Sequence, residues 1–92
     1  MLVVHENPTA QRFEMTAGDA VAFVTYERTS DRVVLIHTEV PKALSGQGVG
    51  SRLVGGVLDI IRGEGKSVVP QCEFVAAFIA RHPGYQSLVA KE

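Results

Sequence analysis

The spacing of apolar residues changes character in the middle of the chain. Before Pro41 it follows strand chemistry, and after Gly48 it follows a helix. Arg12 to Thr16 predicts a short extended segment. Ala20 to Arg28 (AVAFVTYER) and Arg32 to Val40 (RVVLIHTEV) are rich in β-branched and aromatic residues, which suit a pleated surface. Ala17-Gly18-Asp19 and Thr29-Ser30-Asp31 are turn chemistry between them, and connections this short favour antiparallel pairing. Pro41 ends the third strand because it has no N–H for the ladder.

Val49, Leu53, Val54, Val57, Leu58, Ile60 and Ile61 then recur at helical spacing and define one apolar face. Gly63 and Gly65 close that helix. Lys66 to Pro70 predicts a fourth strand. Glu73 to Arg81 predicts a second helix stopped by Pro83-Gly84, and Tyr85 to Val89 a short closing strand. The expected fold class is α/β (α+β), with a mixed sheet: a three-stranded antiparallel meander followed by α-β-α. Strands three and four, joined through a helix, should lie parallel. Gly55 and Gly56 inside the first helix each cost about 1 kcal/mol against alanine, and close packing of helix on sheet accounts for them.

Length and composition narrow the picture. Residues 1–92 suit a single domain with a modest core. Aliphatic and aromatic residues make up 46% and charged residues 21%, the balance of an ordinary globular chain. The net charge is -1 and Lys and Arg do not cluster, so nucleic acid is not an expected partner. No apolar run approaches the roughly 20 residues of a membrane span. Met1 to Pro8 lacks a charged-then-apolar signal pattern, so a cytoplasmic location is expected. Cys72 is the single cysteine, which excludes an internal disulfide and a multi-cysteine metal site; no metal is expected.

The chemistry concentrates in Ser45-Gly46-Gln47-Gly48-Val49-Gly50, between a strand and a helix. Glycines permit positive φ and close approach of a ligand. The free N–H groups and dipole of a helix start suit a phosphate or pyrophosphate. The alternative is a turn that only connects two elements. Gly50 is followed by Ser51 and Arg52, which excludes the P-loop. The dinucleotide fingerprint fails as well, because its third glycine does not fall at the required spacing.

With these residues in view, the third strand, glycine turn, helix and fourth strand resemble the acyl-CoA-binding core of the GNAT superfamily. Glu39-Val40-Pro41, the glycine turn, Pro70-Gln71-Cys72 and His82-Pro83-Gly84-Tyr85 together resemble a compact GNAT-like subgroup of small N-acetyltransferases. The resemblance covers residues 37 to 88. It implies acetyl-CoA as co-substrate in a splayed cleft between strands three and four, and an amine as acceptor. By likeness, backbone from Gln47 to Gly50 takes the pyrophosphate, with Ser45, Gly46, Val49 and Ser51 around it, and Val40 runs beside the pantetheine arm. Two departures stand out. GNAT enzymes usually begin this glycine motif with Gln or Arg, where this chain has Ser45. They also usually carry amino-terminal helices that wall the acceptor site, for which the early strands leave no room.

Candidate catalytic residues follow from strand alternation and from the resemblance. Alternate residues of an extended strand share a face, so Val33, Leu35, His37 and Glu39 point one way, two apolar residues followed by two ionisable ones. Acetylation needs a free amine, so a base must take a proton. Glu39 resembles the GNAT carboxylate that does so; otherwise it is a solvated strand-end carboxylate. His37 is base, relay or a hydrogen-bonded structural histidine. Cys72, at the start of the second helix and expected across the cleft from Glu39, is either an acetyl-accepting thiolate or a small buried residue. Tyr85 resembles the tyrosine that protonates the departing thiolate, or is core packing. His82 closes the second helix or meets the acceptor. The expected activity is acetyl transfer by direct attack. The alternatives are a CoA-binding module without efficient catalysis, and an interaction domain whose glycine turn is structural.

Overall fold

A computed structural model describes residues 3–91. The strands are β1 (Val4–Asn7), β2 (Arg12–Ala17), β3 (Ala20–Arg28), β4 (Arg32–Glu39) and β5 (Ser67–Pro70). The helices are α1 (Val49–Gly63) and α2 (Glu73–Arg81), with 3-10 turns over Lys42–Leu44 and Pro83–Leu88. The sheet order is β1-β2-β3-β4-β5. The first four strands pair antiparallel, and β4 pairs parallel with β5 through α1, as the crossover rule requires.

Two elements differ from expectation. β1 adds a fourth antiparallel strand at the sheet edge, with Val4 opposite Met15 and Asn7 opposite Arg12. Its sequence, VHEN, is short and polar, so its pairing comes from the neighbouring strand rather than from its own pattern. The expected closing strand at Tyr85 to Val89 is instead mostly a 3-10 turn, Pro83–Leu88. Proline at its start supplies the fixed φ and needs no N–H there. What remains of the strand is a single parallel bridge from Val89 to Val68, with the Ala90 N–H donating to the Val68 carbonyl at 2.8 Å.

Both helices pack on one face of the sheet. α1 buries Val49, Leu53, Val54, Val57, Leu58 and Ile61 against Phe13, Val24, Leu35 and Val68, and α2 adds Val75, Phe78 and Ile79 to the same core. Each fully buried aliphatic side chain contributes roughly 1.5–3 kcal/mol. The opposite face has no helix among the described residues. Across it run two rows of paired residues: His5, Glu14, Phe23 and Glu39, and beside them Asn7, Arg12, Thr25 and His37.

β4 is not a regular strand. Tyr26 pairs with Leu35 and Thr25 with His37, which leaves Ile36 without an opposite number. One extra residue reverses the alternation of everything after it. Val33 and Leu35 are fully buried on the helix-covered face. Thr38, paired with the buried Val24, returns to that face. His37 and Glu39, paired with Thr25 and Phe23, lie on the helix-free face and are 59% and 54% exposed. The single face expected for Val33, Leu35, His37 and Glu39 is therefore split by the bulge.

The β1 side of the sheet is held by ions. Arg28, at the end of β3, bonds Glu6 of β1 through two nitrogens at 3.0 Å and Glu64 beyond α1 at 2.9 Å. The Tyr26 hydroxyl also donates to Glu6. On the other face, Glu14 accepts from Arg12 and Asn7 and meets His5 at 3.3 Å. The hydrogen bond from Arg28 holds the Glu6 carboxyl below the usual range, against the opposing effect of burial. Arg12 does the same for Glu14.

Gly56 gives a direct test of how closely α1 lies on β1. A Cβ there would sit 2.6 Å from Val4 Cγ2. Gly56→Ala gains about 1 kcal/mol of helix propensity and meets an overpacking cost of about 1–3 kcal/mol. Denaturant unfolding is expected to show net destabilisation that shrinks in a Val4→Ala background, with a coupling on the order of 1 kcal/mol. Equal effects in both backgrounds would disprove the contact.

Candidate functional site

The glycine turn delivers the chain from β4 into α1. Gly46 and Gly48 have φ of 79° and 73°, and Gly48 is the N-cap residue of α1. Positive φ is what demands glycine at both positions. A Cβ at either would meet nothing within 4 Å, so the space in front of them is open. The first turn of α1 contains no acidic residue, which leaves its positive dipole end without an internal counter-charge. Its leading N–H groups have no carbonyl four residues back to bond.

Gly50 is glycine for a different reason. Its φ is ordinary, but a Cβ there would lie 2.7 Å from the end of the Phe74 ring. Phe74, in the first turn of α2 and 40% exposed, rests its ring over Gly50. Beside this contact lies a cleft of about 260 Å³. Val40, Leu44, Ser51 and Phe74 line it together with Gly46, Gly48 and Gly50. Ser45 and Val49 also line it. The Ser45 hydroxyl is engaged in donating to the Lys42 carbonyl at 2.8 Å, which braces the 3-10 turn. Gln47 is not part of the lining; its side-chain amide donates to the Ala43 carbonyl at 3.3 Å.

The cleft opens onto an unpaired strand edge. β4 and β5 pair from Arg32 opposite Ser67 to Leu35 opposite Pro70. The Cys72 N–H then donates to the Leu35 carbonyl at 3.0 Å. β5 ends at Pro70 and the chain turns into α2, while β4 stays paired to β3 as far as Glu39. Beyond Leu35, on the β5 side, the Thr38 backbone bonds the Cys72 sulfur, and no further strand pairs with β4 there among the described residues.

The candidate catalytic residues divide between the two sides of this opening. Glu39 and His37 form a pair on the helix-free side, with His37 Nε2 2.9 Å from Glu39 Oε1. Cys72 lies on the helix side, 8% exposed, with its Sγ 3.3 Å from Thr38 Oγ1. It therefore does not face Glu39. Burial pushes the Cys72 thiol up, but hydrogen bonds from the Thr38 hydroxyl and from the backbone at Val75, Phe74 and Thr38 outweigh it, and the net shift is downward. Tyr85 is not brought to the cleft. Its hydroxyl donates to Asp59 at 2.8 Å and its ring carries Arg62. Asp59 is ten residues into α1 from Val49, about 15 Å along the axis. The hydrogen bond to Asp59, with burial, raises the Tyr85 pKa. His82 stacks on Phe78 and bonds its carbonyl at 2.8 Å, which closes α2.

Thr38 and Phe74 are site residues that the sequence pattern does not reveal. Thr38 falls on the wrong parity until the bulge is counted. Phe74 reads as one more apolar helix residue, and its partner Gly50 is far away in the chain. No group of three or more potential metal ligands occurs among the described residues, and none of their helices is long and apolar enough to cross a membrane.

A parallel β4–β5 pair joined through a glycine turn and a helix matches the core that the resemblance implies. The family model for GCN5-related N-acetyltransferases matches residues 12–88, and the chain belongs to that family. A solution NMR structure of a GCN5-like, predicted N-acetyltransferase from Staphylococcus aureus superposes with a TM-score of 0.70 at 25% identity. That match covers 97% of this chain and 88% of the other.

The Thr38–Cys72 contact makes a measurable claim. Thr38→Val removes the hydroxyl that favours the thiolate, so the Cys72 pKa should rise. Alkylation rate followed against pH is expected to show its midpoint moved upward. An unmoved midpoint would mean the hydroxyl does not act on the sulfur.

Proposed function

We infer that this chain binds acetyl-CoA in the opening between β4 and β5 and transfers the acetyl group to an amine. The observation that carries the reading is the continuity of the helix start at Gly48 with the unpaired edge of β4. The pyrophosphate suits the N–H groups and dipole at Gly48 to Ser51. The pantetheine arm suits the free edge from Val40 back toward Thr38, roughly 7 Å at 3.3 Å per residue. Val40, Leu44 and Phe74 exclude water from the arm.

In this reading the amine approaches from the helix-free side, where no helix stands in its way. Its nitrogen attacks the thioester carbonyl, the C–N bond forms, the C–S bond breaks, and the CoA thiolate leaves. Glu39 takes the proton from the amine, with His37 hydrogen-bonded to it as relay or orienting group. The thioester is already activated, so no acetyl-cysteine is required, and Cys72 lies on the opposite side from the Glu39–His37 pair. A cytoplasmic location belongs to the same reading. The exposure of both His37 and Glu39 also supports a second one, a CoA-binding module with weak catalysis.

Calorimetry tests the ligand. CoA and acetyl-CoA are expected to bind, with NAD and ATP much weaker. Gly48→Val is expected to abolish CoA binding, because valine is strained at φ 73° and projects into the phosphate space. Tight ATP binding without CoA heat, or a folded Gly48→Val variant of unchanged affinity, would sink the assignment.

Thiol release with a panel of amines tests the chemistry. Glu39→Gln keeps the size and loses the base, and is expected to slow turnover on the order of 10²-fold. Cys72→Ala should keep catalysis while losing some stability, as cavity-forming changes do. An acetyl adduct on Cys72, found by intact mass and discharged by amine at the catalytic rate, would overturn direct attack. CoA binding with no thiol release for any amine would favour the binding module.

A further inference from the structure

The opening between β4 and β5 is not free on its helix side. The Thr38 hydroxyl reaches across it to Cys72 Sγ, 3.3 Å away. This contact joins the two segments beyond their last backbone–backbone bond, the one from the Cys72 N–H to the Leu35 carbonyl. Val40 and Phe74 line the open cleft, and each lies two residues farther along its segment than the bridged residue. Leu35, whose carbonyl accepts from the Cys72 N–H, and Val75, whose backbone bonds the Cys72 sulfur, are both fully buried, so the bridge stands against the packed core.

We propose that the Thr38–Cys72 bridge sets the length of acyl group the protein accepts, admitting acetyl and excluding longer straight chains. The inference rests on the reading that acyl-CoA lies along the free edge of β4. An arm that follows this edge from Val40 brings its thioester past Thr38. An acetyl methyl then meets the Thr38 methyl and the Cys72 sulfur at van der Waals distance. A butyryl group carries two further methylenes, which must either separate the bridge or remain in water. Those methylenes are in water in free butyryl-CoA too, so leaving them there gains nothing, and a thioester held back to keep them there loses its own seat on β4. Separating the bridge takes the Thr38 hydroxyl off the sulfur and strains a close-packed core.

The bridge acts through its bulk, which separates this role from a catalytic one. Thr38→Val retains the size without the hydroxyl and should retain the preference. Thr38→Ser and Thr38→Ala remove bulk in steps, and Cys72→Gly removes it from the other side.

The experiment is calorimetric titration of the full chain and each variant with CoA, acetyl-CoA, butyryl-CoA and hexanoyl-CoA, with folding checked by thermal melting. Wild type and Thr38→Val are expected to bind acetyl-CoA at least about 10-fold more tightly than butyryl-CoA, the ratio that overpacking toward the low end of its usual cost gives. Thr38→Ala and Cys72→Gly are expected to reduce the ratio at least 5-fold. Thr38→Ser, the mildest change and the one expected to fold in every case, should give an intermediate ratio. Wild type that binds acetyl-CoA and butyryl-CoA equally overturns the inference, as does an unchanged ratio in folded Thr38→Ser and Thr38→Ala. Failure of wild type to bind CoA at all is a different result: it removes the acyl-CoA reading itself, and the bridge's role with it.

Discussion

One unmatched residue organises the site. Ile36 has no opposite number on β3, and the pairing of Tyr26 with Leu35 and Thr25 with His37 makes room for it. Every side chain of β4 after that point lies on the face opposite to the one a regular strand would give it. Thr38 turns inward to Cys72, and His37 and Glu39 turn outward as a hydrogen-bonded pair. The same irregularity coincides with the point where β4 leaves β5, so the bend that re-aims the side chains also frees the strand edge. Past Thr38, whose backbone bonds the Cys72 sulfur, β4 is paired to β3 on one side and to no strand on the other, a state a sheet edge tolerates only if something fills it or water does.

Division of labour follows from that geometry. The helix-covered side supplies walls: Val40, Phe74, and the buried thiol with its threonine. The helix-free side supplies ionisable groups in rows, with Glu14 neutralised by Arg12 and Glu39 partnered by His37. The glycines serve three separate ends. Gly46 and Gly48 supply left-handed backbone, Gly50 makes room for the Phe74 ring, and Gly56 lets α1 settle on Val4.

Much of the fold was legible because its signals are local. β3 and α2 lie where composition and breakers put them, α1 follows its apolar spacing from Val49 to Gly63, and the glycine turn stands at a helix start. The features that escaped depend on partners distant in the chain. β1 exists because β2 offers it an edge. The closing segment is a 3-10 turn because Pro83 sets its geometry, although Val89 does reach Val68. Period-two reading put His37 and Glu39 with Leu35, since a bulge leaves no mark in the residues that contain it. Tyr85 sits near the right place in sequence, yet Asp59 and Arg62 hold it along the flank of α1. Family likeness carried the position of that residue but not its surroundings.

The ionic contacts of β1 have a consequence in proton linkage. Glu6 and Glu14 both have carboxyls held below their ordinary range, and both tie β1 to the strands beside it. A carboxyl whose folded pKa is depressed contributes stability above its unfolded pKa, and that contribution fades as pH falls through the folded value. Acid therefore withdraws support from the strand at one edge of the sheet, whereas the cleft lies toward the other edge. Proton uptake by these two carboxylates is thus concentrated at the margin of the sheet farthest from the cleft.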